Sequence, residues 1–375
     1  MQWLDEYLQR LSAIRNGQAG LDSYLFAVQT QADGGQFDAH EAQRYRLLLA
    51  LQCDRAPGDE AMLVQLLQAE IARHRMEAFQ GLYPALELAC VLLASYQKIE
   101  SLPLFINAKR ANFDTWCGLD MQYLVSAGIA QSYAAAELLD EDLREAFHDL
   151  LGAVPEQCKI SEQDLEKWRA RQARAYPQPL VFRSLEDEIE FLLELGEQEL
   201  ARSKISEWRA TAFQPTEQGW SQWLSWQRCL QNLDGMIEAQ QALLALEADQ
   251  ADDWDRASRL RDLTGLYLQQ GDMGAALQGI QALQTFQLHF KEWRKLGLGR
   301  FIAELYLDYV LAAQAGNADA SAQVYGWAKV LTQGMKAMHW NLLEKLIAVH
   351  QAYGNQKLAR RYRLLLRREK ASILE

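Results

Sequence analysis

Residues 260–283 read LRDLTGLYLQQGDMGAALQGIQAL. Leu260, Leu263 and Tyr267 recur at steps of three and four, the spacing of one helix face. Gly271 and Asp272 interrupt the pattern, and a glycine there permits the left-handed backbone that ends a helix. Ala276, Ile280 and Leu283 then resume the same spacing. The stretch predicts two short antiparallel helices joined by a tight turn. The small Ala276 lets the helices approach where they cross, while the large residues fill the space between one hairpin and the next.

The same grammar recurs through the second half of the chain. Turns align at Gly196, Asp234, Gly271, Gly316 and Gly354. Five residues after each stands a small side chain: Ala201, Ala239, Ala276, Ser321 and Ala359. Nine after stand Ile205, Leu243, Ile280 and Tyr325, with Arg363 the exception. Twelve after stand Trp208, Leu246, Leu283, Ala328 and Leu366. Eleven before stand Leu185, Trp223, Leu260, Leu305 and Leu343, and four before stand Leu192, Leu230, Tyr267, Ala312 and His350. An arbitrary amphipathic chain supplies the large positions often, but rarely a small residue five times in five at one offset. Successive small residues lie 38, 37, 45 and 38 positions apart.

The best of these hairpins resembles the tetratricopeptide repeat. Leu260-x2-Leu263-Thr264-x2-Tyr267, then Ala276-x3-Ile280, follows that family's W-x2-L-G-x2-Y and A-x3-F pattern. Leu stands for Trp, Thr for Gly, and Leu288 where the family has Pro. The repeats are longer than the family's, so the resemblance is to an irregular, tetratricopeptide-like array. It covers roughly residues 183–370. The implied fold is all-α, an α-solenoid of antiparallel hairpins wound into a right-handed superhelix. Such arrays bind a peptide or protein on the concave face formed by the first helix of each hairpin.

The resemblance places a set of groove-facing residues on those first helices, off the core stripe. They are Arg183, Glu186, Glu190 and Glu194, then Arg228, Gln231 and Asn232, then Arg261 and Gln269, and finally Gln314, Glu344 and Gln351. Amide and guanidinium groups suit the backbone and carboxylates of an extended segment. The family's Lys and Asn carboxylate clamp is absent, so no C-terminal carboxylate ligand is implied.

The first half resists the same offsets. Residues 1–151 hold six or seven amphipathic segments, with turn signals at Asn16–Gly17, Asp33–Gly34–Gly35, Ala56–Pro57–Gly58 and Leu102–Pro103. They read as a helical domain or as degenerate repeats. Residues 152–183, with Pro155, Pro177 and Pro179 and one charged helix, read as a linker before an array of about five hairpins over 184–375. Ser161 and Asp164 predict a capping box at the start of the charged helix. The only extended candidate is Leu180–Val181–Phe182.

Across the 375 residues, 49% are apolar and 23% charged, an ordinary globular balance. The net charge of −12 opposes a nucleic-acid role. The opening MQWLDEYLQR has no basic and apolar leader, and no apolar run approaches membrane-spanning length. The five cysteines, at positions 53, 90, 117, 158 and 229, show no CxxC spacing. Together these predict a cytoplasmic protein.

Chemistry-bearing motifs are sparse. There is no phosphate loop and no HExxH, and Gly297-Leu-Gly299 lacks the third glycine of a dinucleotide site. None of the six histidines has a His or Cys at ligand spacing. No cofactor, metal or catalytic residue is predicted. In Asn112-Phe-Asp-Thr-Trp-Cys-Gly-Leu-Asp120, Asp114 is expected to cap a helix and Cys117 to fill core, since neighbouring carboxylates oppose a thiolate. Trp220, Trp223 and Trp226 lie near one helix face; Trp223 falls in the core pattern, and the other two are core or an exposed anchor. The run from Arg360 to Lys370 reads as a solvated face or an acidic-partner contact, and Glu247 to Asp255 as a solvated linker.

The function these features predict is a non-enzymatic, cytoplasmic scaffold or adaptor that binds a protein or peptide in the groove. An immunity- or chaperone-type neutraliser, a signalling-peptide receptor, and an enzyme whose site is assembled across helices remain as alternatives.

Overall fold

A computed structural model describes residues 2–31, 34–77, 81–246, 254–289, 297–314, 316–336 and 338–373. The described residues are almost entirely helical, and consecutive helices pack against one another. The chain divides into two compact units, Met1–Arg183 and Ser184–Glu375.

The first unit holds α1 (Gln2–Arg15), α2 (Glu41–Cys53), α3 (Glu60–Met76), α4 (Pro84–Ala94), α5 (Leu102–Lys109), α6 (Phe113–Gly118), α7 (Ile129–Ala136), α8 (Glu141–Leu151) and α9 (Glu162–Ala175). Its core forms around the apolar faces of α2, α3, α4 and α5, including Leu47, Leu63, Leu66, Leu86, Leu93 and Phe105. Residues 152–183, expected to be a linker, belong to this unit. Leu165 and Trp168 of α9 are buried, and Gln52 donates to the Pro177 carbonyl at 2.9 Å. Ser161 and Asp164 form the capping box that their spacing predicts.

Two short strands escape the helical pattern. β1 (Val28–Thr30) pairs antiparallel with β2 (Gln36–Asp38). Their three-residue lengths give too little alternation to register as a sequence signal. Leu180–Phe182, the expected extended stretch, forms no strand.

Behind β2 lies a charged core. The Arg44 guanidinium meets Asp38 at 2.5 Å and Glu70 at 2.6 Å, with all three side chains fully buried. Arg44 also donates to the Tyr24 carbonyl. The second Asp38 oxygen accepts the backbone N–H groups of Ala27 and His40. A buried charge needs such partners, because an unpaired one costs several kcal/mol.

Among the described residues the second unit holds five helix pairs. They are α10 (Leu185–Glu194) with α11 (Gln198–Thr211), α12 (Glu217–Cys229) with α13 (Leu233–Leu246), and α14 (Trp254–Gln270) with α15 (Met273–His289). α16 (Gly297–Ala313) follows with α17 (Ala318–Thr332), then α18 (Trp340–Ala352) with α19 (Gln356–Ile373). Within each pair the helices pack together, and first helices also touch: α10 with α12, α14 with α16, α16 with α18.

Four of the five hairpins close by the same backbone device. A carbonyl in the last helical turn accepts the N–H five residues on: Leu192 from Glu197, Gln227 from Asn232, Tyr267 from Asp272, and His350 from Asn355. This is the Schellman arrangement, which satisfies orphan carbonyls around a left-handed residue. Gly196, Gly271 and Gly354 occupy the left-handed position, but in the second hairpin it is Gln231, at φ 54°. The turn there is three residues earlier than the expected Asp234. Gly316 is not left-handed; Asn317 instead bonds to Ala313, four residues back.

All five expected small residues, Ala201, Ala239, Ala276, Ser321 and Ala359, are completely buried. Ser321 also earns its hydroxyl, which donates to the Val310 carbonyl at 2.9 Å and pairs with the Tyr353 hydroxyl. Two large positions fail. Leu246 is 54% exposed at the end of α13. Ala312 faces solvent while its neighbour Ala313 is buried, so the position four before the turn is off by one in the fourth hairpin.

Two glycines outside the expected positions also sit at close helix approaches. A Cβ on Gly279 would lie 2.1 Å from Thr264 Oγ1, and one on Gly235 would lie 2.6 Å from Gln227 Oε1. Each sits one helical turn from the expected small residue, on the same face.

Candidate functional site

The expected groove residues scatter, and the structure gathers three of them. Arg228 near the end of α12, and Arg261 and Gln269 on α14, line one open cleft of about 640 Å³. The cleft is walled by α12, α13, α14 and α16. Leu224 and Leu305 form buried parts of its wall. Phe301, at the N-terminal end of α16, stands in it half exposed.

The rest of the expected set does other work. Glu186 accepts the Trp208 indole N–H at 2.7 Å. Backbone and Trp208 hydrogen bonds hold its carboxyl below the usual range. Glu190 accepts from Gln222. Gln231 is the left-handed turn residue. Asn232 caps the turn: its amide donates to Gln227 at 2.6 Å and its oxygen accepts the Gly235 N–H. Glu344 pairs with Lys370 at 2.8 Å. Arg183 belongs to the first unit. Glu194, Gln314 and Gln351 are exposed and do not line this cleft.

Several cleft residues went unread in the sequence. Gln240 of α13 is 3% exposed, and its side-chain oxygen has no hydrogen-bond partner among the described residues. Arg261 stacks 5.2 Å from the Phe301 ring centre and hydrogen-bonds Asp262. On the α16 side stand Glu304 and Asp308. Glu304 meets His339 at 2.7 Å and Lys345 at 3.4 Å, and Lys345 also meets Asp308 at 2.7 Å. The cleft therefore carries guanidinium groups on one wall and carboxylates on another, with an apolar ring between them. Such a lining offers complementary groups to both signs of charge and to an apolar surface.

The tryptophan cluster is structural. Trp226 is buried and packs edge-on against Trp208 at 4.7 Å. Trp220 packs against Phe213, and Arg209 sits over both rings and over Trp223. No exposed aromatic anchor forms there.

The Asn112–Asp120 string departs from expectation. Asn112, not Asp114, caps α6, accepting the Thr115 N–H at 2.8 Å. Cys117 is exposed rather than core, as are Phe113 and Trp116. The six-residue α6 is too short to bury both faces. Arg360, Arg361, Arg367, Arg368 and Lys370 lie on an exposed face of α19. Most of the acidic run, residues 247–253, lies outside the described residues, as does Asp33 of the expected 33–35 turn. Among the described residues no helix is long and apolar enough to cross a membrane.

No family model matches the chain, and no curated protein matches it. Among solved structures it is similar to BtubC (BKLC) from P. vanneervenii, with a TM-score of 0.37 and 14% identity over 65% of this chain and 92% of that one.

Proposed function

We propose that the second unit is a tetratricopeptide-like solenoid, and that the protein is a non-enzymatic, cytoplasmic adaptor that holds an extended peptide segment of its partner in the α12–α16 cleft. Five successive hairpins, a turn closure shared by four of them and five fully buried small residues support the solenoid. One observation carries the binding role: the cleft brings the half-exposed Phe301 ring together with the Arg228 and Arg261 guanidinium groups. An apolar side chain covers Phe301, and an acidic or carbonyl group meets the arginines.

The test is selection of linear peptides from a displayed random library against the immobilised protein. Enriched peptides should bind one to one in fluorescence polarisation. Arg228→Glu with Arg261→Glu should weaken them at least tenfold with the circular dichroism spectrum unchanged. Absence of enrichment, or binding indifferent to the double variant, refutes the proposal.

A further inference from the structure

We infer that the first unit carries a second, separate site, for a small organic anion bearing a phosphate or carboxylate group. The site is a cleft between residues 52–55, the end of α4 with the loop after it, and α9. It encloses about 370 Å³, within the range of small-molecule sites. Its only charged lining residues are Arg55 and Arg169, and no lining residue is acidic. In a chain of net charge −12 this reverses the local sign and favours anions.

The nearby carboxylates are already engaged. Asp54 and Asp59, on either side of Arg55 in the chain, are both held by Arg15, each at 2.7 Å. Asp120 accepts from Trp168 at 2.8 Å, Arg171 at 2.7 Å and Gln172 at 3.1 Å. Arg55 itself makes no hydrogen bond or ion pair among the described residues. Arg169 donates from one terminal nitrogen to the Ser126 carbonyl at 2.8 Å, which leaves the remainder of its fork available. Two guanidinium groups with spare planar donors match the geometry of carboxylate or phosphate oxygens.

The remaining lining sets the ligand's body. Gln52, Gln97, Gln172 and Gln178 also line the cleft; the amide nitrogens of Gln52, Gln172 and Gln178 each donate to the protein, to Pro177, Asp120 and Cys53, which leaves their oxygens to accept. A body with hydroxyl or amide groups therefore fits better than a hydrocarbon. Gln97 adopts a left-handed backbone, φ 52°. That conformation is ordinary for glycine and costly for a residue with a side chain. Val91, Leu92 and Ala173 supply the apolar part of the wall.

The experiment is isothermal titration of the full chain at constant ionic strength with AMP, pyrophosphate and citrate, and with adenosine as the uncharged control. At least one anion should bind one to one with submillimolar affinity, and adenosine should not. AMP or pyrophosphate without citrate identifies a phosphate site, and citrate alone a carboxylate site. Arg55→Gln with Arg169→Gln should weaken binding at least tenfold with the circular dichroism spectrum unchanged; Arg55→Gln alone, which breaks no hydrogen bond among the described residues, should weaken it without lowering the unliganded thermal midpoint. Ala173→Trp, which narrows the mouth without touching charge, should weaken it as well. The proposal is overturned if none of the three anions binds, if binding survives the arginine pair, or if it is insensitive to Ala173→Trp, which would mark diffuse ion attraction instead of a cleft.

Discussion

Gly279→Ala is the sharpest test of how the second unit is packed. The new methyl carbon would stand 2.1 Å from Thr264 Oγ1 and 3.1 Å from both Thr264 carbons. An ordinary carbon–oxygen contact needs more than 3 Å, so α14 and α15 must separate by about an ångström or Thr264 must rotate. Rotation is opposed, because Thr264 is fully buried and its hydroxyl is tied to the Leu260 carbonyl at 2.7 Å. Overpacking of this kind costs about 1–3 kcal/mol. Alanine's helix preference over glycine returns up to about 1 kcal/mol.

The same change at Gly326, in the interior of α17, meets nothing within 4 Å. It should give the propensity gain alone. The measurement is urea or thermal unfolding of both single variants and of Gly279→Ala in a Thr264→Ala background. For a unit of this size each kcal/mol moves the midpoint by about 2–4 °C. Gly326→Ala should raise it and Gly279→Ala should lower it. With Thr264 truncated, the penalty of Gly279→Ala should disappear, a coupling of about 1–3 kcal/mol. If Gly279→Ala stabilises the wild-type chain as Gly326→Ala does, the two helices do not cross at this point and the hairpin geometry is wrong.

Other expectations follow from the first unit and from the histidines. Arg44→Met leaves Asp38 and Glu70 buried without a counter-charge, which should cost about 3–5 kcal/mol in equilibrium unfolding. Adding Asp38→Asn and Glu70→Gln should recover part of the loss, and a surface-like response of under about 0.5 kcal/mol would place Arg44 outside the core. His74 and His350 are both pushed below the ordinary 6.5, in each case mainly by burial. The unfolded chain therefore takes up protons first as pH falls. Their stabilisation is complete above about pH 6.5 and declines below it, through the lowered folded values. Melting from pH 7.5 down to 5 should show this decline, and His74→Gln with His350→Gln should flatten it.

The helical array was legible because its determinants are local. A buried small residue and a period near 3.6 leave marks in the sequence whatever their neighbours do, and all five small residues proved fully buried. The second turn was misplaced because glutamine gives no sign that it will adopt a left-handed backbone; only the closure from Asn232 to Gln227 shows it. Gly235 and Gly279 fall at no recurring offset in the sequence, yet they are where the helices meet.

At the candidate site, Arg228, Arg261 and Gln269 could be placed from their position off the core stripe. Phe301, Glu304 and Asp308 come from the next hairpin, and only packing brings them opposite. Arg44 sits in the run RYRLLLALQC, where a charge reads as a solvent face. Its partners, Asp38 and Glu70, lie on a strand and a helix that no sequence period connects.

Among the described residues, the main packing between hairpins of the second unit joins neighbours along the chain. Under tension applied between the ends of that unit, the load passes chiefly from each pair to the next. Failure at one pair frees a repeat without loosening distant ones. With 37 to 45 residues per repeat, each rupture adds roughly 120–160 Å of extended chain. The unit is thus built as a series of discrete mechanical steps, lengthening by instalments while the remaining pairs keep their grip.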